Sequence, residues 1–171
     1  MLHFDESPIL TYDEFITLVS PFVSTTYQHY LSAILPDASL EDTISHPFFT
    51  SYSSYLSLLK SELRNYRLIA HKEMNVPEGG QKGLIQDISL SEVVKRAVEQ
   101  ENPLEAEISL LSLLYNKVEE LKGGHYFDEV SLFAYALQLR MLERKAQFIP
   151  LEGNTEFKRL FTGLQSIIKS I

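Results

Sequence analysis

The feature that constrains this chain most is a pair of helical patterns joined by two glycines, running from Asn102 to Phe148. Asn102-Pro103-Leu104-Glu105 opens the first. Asn is a preferred N-cap, Pro fits the first helical position because its missing amide would go unpaired there, and Glu105 meets the positive end of the helix. Leu104, Ile108, Leu111, Tyr115 and Val118 then recur with alternating gaps of four and three, a heptad-like seam for a neighbouring helix. Leu110, Leu114 and Leu121 widen it. Gly123-Gly124 ends the pattern, since glycine accepts the left-handed backbone that a C-terminal cap needs. A second helix is expected from about Asp128 to Phe148. Val130, Phe133, Ala134, Leu137 and Met141 make one apolar face of it, and Leu132, Tyr135, Leu139 and Leu142 a second. A helix apolar on two faces is packed on two sides, which places this one centrally. The expectation is an all-α chain, an antiparallel helical bundle built around this hairpin.

The rest of the chain reads the same way. Thr11-x-x-Glu14 has the form of a capping box, followed by Phe15, Leu18, Val19 and Phe22 at helical spacing, with Pro21 placed to bend or stop the run. A short pattern from about Thr26 to Leu35 stops at Pro36-Asp37. Ser39 to Ser45 is a polar connection. A long helix is expected from about Ser51 to Glu73, with Tyr52, Tyr55, Leu56, Leu59, Leu63, Tyr66 and Ile69 as its stripe. Three glycines and a proline between Asn75 and Gly83 then make a loop. Residues 1–74 are thus an N-terminal helical half, 75–88 a Gly/Pro linker and 89–171 a C-terminal helical half, forming one compact domain overall. Ser89-x-x-Glu92 reads as a second capping box, ahead of Val93, Val94, Ala97 and Val98. Phe157, Leu160, Phe161, Leu164, Ile167 and Ile168 outline a last amphipathic helix. The best strand candidate, Gly83 to Ile88, is short.

Composition narrows the function classes. The chain has no cysteine, which removes disulfides, thiolate nucleophiles and Cys-ligated zinc. A net charge of −8 opposes nucleic-acid binding and suits docking onto basic protein surfaces. No apolar run approaches the roughly 20 residues a membrane helix needs. Met1 to Ser7 is mixed and acidic rather than a signal peptide, so a cytoplasmic protein is expected.

The chemical motifs are sparse. His3, His29, His46, His71 and His125 have no helical metal spacing among them, and no Glu-x-x-His motif accompanies them. No serine sits in a Gly-x-Ser-x-Gly elbow, and Gly79 to Gly83 fits neither phosphate-loop pattern. No cofactor and no metal site is expected. Two readings remain for His125-Tyr126-Phe127-Asp128. In the structural one, Asp128 caps the following helix, His125 hydrogen-bonds across the turn, and Tyr126 and Phe127 pin it to the core. In the chemical one, His125, Asp128 and Glu143 form an acid–base site. Arg140 and Glu143, three apart, can pair, while Arg140, Glu143 and Arg144 have long stems that cover apolar surface. Lys60, Arg64, Arg67 and Lys72, with His71, follow one side of the long helix. They are a solvated face or a docking strip for an acidic partner.

Three stretches go further. Asn102, Pro103, Leu104, Glu105, Ala106 and Glu107, then Gly124, His125, Tyr126, Phe127 and Asp128, then Leu139, Leu142, Glu143 and Arg144 resemble the motifs of one family. It is a domain-of-unknown-function family encoded among the V-type ATP synthase genes of some bacteria. Glu152 to Phe161 and, less specifically, Leu10 to Ser24 are also similar to it. That family distantly resembles the all-helical central-stalk subunit, called C in bacterial and d in eukaryotic enzymes, which joins the rotor shaft to the membrane ring. The resemblance implies a non-catalytic coupling or assembly role. Its implied partners are the rotor-shaft and membrane-ring subunits, with membrane contact only through the complex. Members of that family begin with an aromatic and aliphatic segment that would end where this chain starts, so the expectation is either a start further upstream or a chain that lacks this element. Two alternatives from the residues alone stay open: a free-standing helical adaptor, and a small enzyme using His125, Asp128 and Glu143.

Overall fold

The computed structural model describes residues 2–34, 45–70 and 88–148. Among them every regular element is helical, so the chain is all-α as expected. The helices are α1 (Tyr12–Val19), α2 (Thr25–Ser32), α3 (Pro47–Ala70), α4 (Ile88–Glu99), α5 (Pro103–Lys122) and α6 (Glu129–Ala146), with a 3-10 turn at Ser20–Phe22. Most of the Gly/Pro linker, the strand candidate up to Asp87, Lys72, His71 and the last amphipathic helix lie outside the described residues. So does the Ile69 side chain.

The helix starts follow from local chemistry. The Thr11 hydroxyl accepts from the Glu14 amide at 3.3 Å, and the Glu14 carboxylate accepts from the Thr11 amide at 2.8 Å, completing the capping box. Asn102 caps α5 by accepting from the Leu104 amide at 3.1 Å, with Pro103 at the first helical position. Two starts differ from expectation. α3 begins earlier, at Pro47, where the His46 Nδ1 accepts from the Phe48 amide at 3.2 Å. α4 already includes Ile88, so Ser89 stands inside the helix rather than capping it.

α5 and α6 form the antiparallel hairpin. Arg144 near the end of α6 reaches Glu107 near the start of α5, at 2.7 Å, while Gln138 reaches Glu119 further along α5, also at 2.7 Å. α6 is buried on both sides, at Phe133, Ala134, Leu137 and Met141 on one and at Leu139 and Leu142 on the other. Phe133 is the hub of an aromatic cluster. Its ring lies 4.8 Å from Phe49, 5.1 Å from His46, 5.5 Å from Tyr27 and 6.1 Å from Tyr30. Edge and tilted contacts of this kind add to the area they bury. The seam residues Leu111, Tyr115 and Val118 are buried in the same cluster, so the heptad-like seam is filled by this chain's own helices.

α1 runs antiparallel to α6. Tyr12 meets Arg140 and Glu143, and Phe15 stacks at 5.0 Å on Tyr135, nearer the start of α6. Two residues expected on the α1 stripe are not in the core: Leu18 and Phe22 are 62% and 88% exposed. Tyr12, buried, flanks Phe15 on the other side from Leu18. The helix then ends at Val19, and the tighter 3-10 turn rotates Phe22 off the face that Phe15 sets. A second, smaller cluster of Leu59, Leu90 and Val94 joins the later part of α3 to α4 and to Leu110 and Leu113 of α5. α3 enters beside Phe133 and runs antiparallel to α5, away from the hairpin turn.

Candidate functional site

The turn between α5 and α6 is closed by its own polar groups. Gly123 has φ +50° and ψ −124°, a backbone region open to glycine, and its amide donates to the Glu119 carbonyl at 3.1 Å. The His125 amide donates to the Lys122 carbonyl at 3.0 Å. The His125 Nδ1 and Asp128 Oδ2 are in short contact across the turn. The other Asp128 oxygen accepts from the Ser131 amide at 3.1 Å, and the Ser131 hydroxyl accepts from the Asp128 amide at 3.3 Å. The hydrogen bond from His125 and then that from the Ser131 amide hold the Asp128 carboxyl below the usual range. The cap and the cross-turn contact are therefore as expected.

The aromatic residues of the turn are not. Tyr126 and Phe127 pin nothing: Tyr126 is 68% exposed and Phe127 fully so. His125 and Asp128 clasp the two ends of a turn that leads straight into α6, and the two side chains between them are left pointing outward. Gly124, beside them, has open space around its Cα.

Glu143 lies fifteen residues beyond Asp128 on the same helix, about 22 Å along its axis. The structure brings His125 and Asp128 together and leaves Glu143 at the far end. There Glu143 accepts from the Tyr12 amide at 2.6 Å and from Arg140 at 3.3 Å. The Arg140 guanidinium stacks over the Tyr12 ring, 3.8 Å from its centre. Burial pushes the Tyr12 phenol up to about 12 despite the cation beside it, and the phenol donates to the Leu31 carbonyl at 2.6 Å. Lys145 completes this end, bonding the Phe4 carbonyl and lying 4.2 Å from the Phe4 ring centre. Asn102 and Asp128 thus cap helices, Glu105 accepts from the Asn102 and Gln100 side chains, and Glu107, Glu143 and Arg144 make interhelix bonds, spread over both ends of the hairpin.

Sequence reasoning missed the interhelix partners: Tyr12 for Glu143, Glu107 for Arg144 and Gln138 for Glu119. Gln138 is buried and holds Glu119, which Lys122 also reaches at 3.1 Å. Burial raises the Glu119 carboxyl, but these bonds and the Lys122 charge outweigh it and leave it lowered. One polar residue inside Ala136-Leu137-Gln138-Leu139 was the available signal. Lys60, Arg64 and Arg67 are exposed on α3, toward the end opposite the hairpin turn. Among the described residues no group of three or more His, Asp or Glu is placed to hold a metal ion, and no helix is long and apolar enough to cross a membrane.

Comparison with protein-family models, curated proteins and solved structures finds no match to this chain.

Proposed function

We propose that this chain is a non-catalytic accessory subunit, central-stalk-like, of a bacterial V-type ATP synthase. It contributes to rotor coupling or assembly, and through that to proton transport. It works on the cytoplasmic side and meets the membrane only through the complex. What supports this reading is the distribution of surface chemistry. One end carries an exposed aromatic turn flanked by carboxylates, and the α3 end carries exposed Lys60, Arg64 and Arg67. A chain with unlike surfaces at its two ends suits contact with two different partners. The motif residues, meanwhile, are occupied as structural joints rather than converging on a reacting atom. The acid–base alternative loses its third member to the 22 Å or so between Asp128 and Glu143.

The test is co-expression with the rotor-shaft and membrane-ring subunits, followed by size-exclusion chromatography with light scattering. Co-elution at fixed stoichiometry is expected. Clean separation, with this chain folded and alone, overturns the stalk assignment and leaves a free-standing adaptor.

A further inference from the structure

We propose that the Gly123–Asp128 turn is an anchor that inserts Tyr126 and Phe127 into an apolar pocket, edged by lysine or arginine, on a partner protein. The inference rests on the function proposed above and names the surface through which it acts.

The geometry of the turn carries it. Two adjacent aromatic rings stand in solvent and expose on the order of 300 Å² between them. They add nothing to this chain's core, while the residues on either side are tied down by the clasp, by the Gly123 backbone and by the α6 cap. The rings are therefore presented by a fixed frame. Binding them costs little ordering of the backbone, the condition under which aromatic anchors dominate an interface.

The surroundings say which partner. The exposed charge beside the turn is acidic. Glu119, Glu120, Asp128 and Glu129 stand against Lys117 and Lys122. In the Lys117–Glu120 pair the carboxylate is the exposed partner, 69% against 20%, and in the Lys122–Glu119 pair it is 37% against 13%, while Asp128, 37% exposed, meets His125. An anionic lipid surface is repelled by these carboxylates and by the net charge of −8. A symmetric contact with a second copy would set the same carboxylates against each other. A pocket edged by basic residues complements them.

The antiparallel course of α1 against α6 also brings the Ser20–Phe22 turn to this end, and the Tyr27 ring packs at 5.5 Å on Phe133 near the start of α6. From Phe15 to Pro36 the sequence has no Asp, Glu, Lys or Arg. Exposed Leu18 and Phe22 therefore add, at the same end, apolar surface whose burial desolvates no charge. That addition matters, because the turn alone falls short of the roughly 800 Å² per partner of a stable interface.

The experiment compares the full chain with its Tyr126→Ser/Phe127→Ser double variant. Both are titrated against the rotor-shaft subunits and against the membrane-ring subunit, at 0.1 and 0.5 M NaCl. Circular dichroism and thermal melting check that the variant keeps its fold, as expected for side chains 68% and fully exposed. The expected result is binding by the parent that weakens at high salt, and at least about thirtyfold weaker binding by the variant. Equal binding by both overturns the anchor while leaving the stalk assignment standing. Binding by neither removes the stalk assignment and the anchor with it. Two further outcomes overturn the partner chemistry: turn-dependent binding to phosphatidylcholine vesicles, and turn-dependent oligomers of the chain alone.

Discussion

Glu143 closes a joint between α6 and α1, reaching Tyr12, 131 residues away in sequence. One carboxylate oxygen accepts from the Tyr12 amide, one of the free donors at the start of α1, and the other accepts from Arg140. Arg140 in turn covers the Tyr12 ring, and its buried Nε has no partner of its own. Removing the carboxylate therefore leaves a helix-start amide unmatched and a half-buried guanidinium unpaired. Glu143→Ala is expected to cost about 2 kcal/mol of folding stability. Glu143→Gln, which keeps an oxygen for the Tyr12 amide, should recover part of that. Urea unfolding reads both as shifts in midpoint at constant slope. If Glu143→Ala stays within about 0.5 kcal/mol of the parent, the joint contributes no more than an ordinary surface pair.

At the scale of elements, the two glycines of the hairpin turn are not equivalent. Gly123 has a positive φ, which strains any other residue, and its Cβ position would face the Glu120 carbonyl at 3.6 Å. Gly124 has no positive φ and meets nothing within 4 Å. Gly123→Ala is expected to destabilise by about 1–3 kcal/mol. Gly124→Ala should be neutral, or stabilising by about 0.5 kcal/mol through the unfolded chain. Thermal melting of the two variants separates them, and equal loss at both would mean that the turn is set by something other than the Gly123 backbone. The helix starts at Thr11, Asn102 and Asp128 were legible in the sequence because each is fixed within three residues of the cap. The two-sided burial of α6 was legible because its apolar period continues for four turns. The fates of Leu18, Phe22, Tyr126 and Phe127 were not. An apolar side chain in a pattern records only that it can be buried, and whether a neighbour covers it depends on segments far away in sequence. Glu143 was readable as an Arg140 partner at helical spacing, but its bond to Tyr12 belongs to the tertiary fold.

Across the whole molecule, α3 and α5 each run through both apolar clusters, but the clusters are unequal. The larger gathers α1, α2, the start of α3, α5 and α6 around Phe133. The smaller holds α4 through Leu90 and Val94 against Leu59 and Leu110. α4 has 12 residues, near the length at which an isolated helix is marginal in water, so it depends on that contact. One side-chain tie to α3 is the Tyr66–Ser91 hydroxyl pair at 2.9 Å. α4 should therefore open before the α5–α6 hairpin, as a sub-global unit. Hydrogen exchange read by mass spectrometry is expected to show α4 exchanging first in the parent. Val94→Ala, losing about 2 kcal/mol of local packing, should speed exchange in α4 and leave α6 protected. Phe133→Ala, costing about 3–5 kcal/mol at the hub, should lower protection in both regions, because opening the larger cluster also removes the α5 face on which α4 rests. If Val94→Ala lowers protection in α6 as much as in α4, the two clusters unfold as one unit. The long helices would then transmit the loss along their whole length, which is the mechanical property a coupling subunit needs.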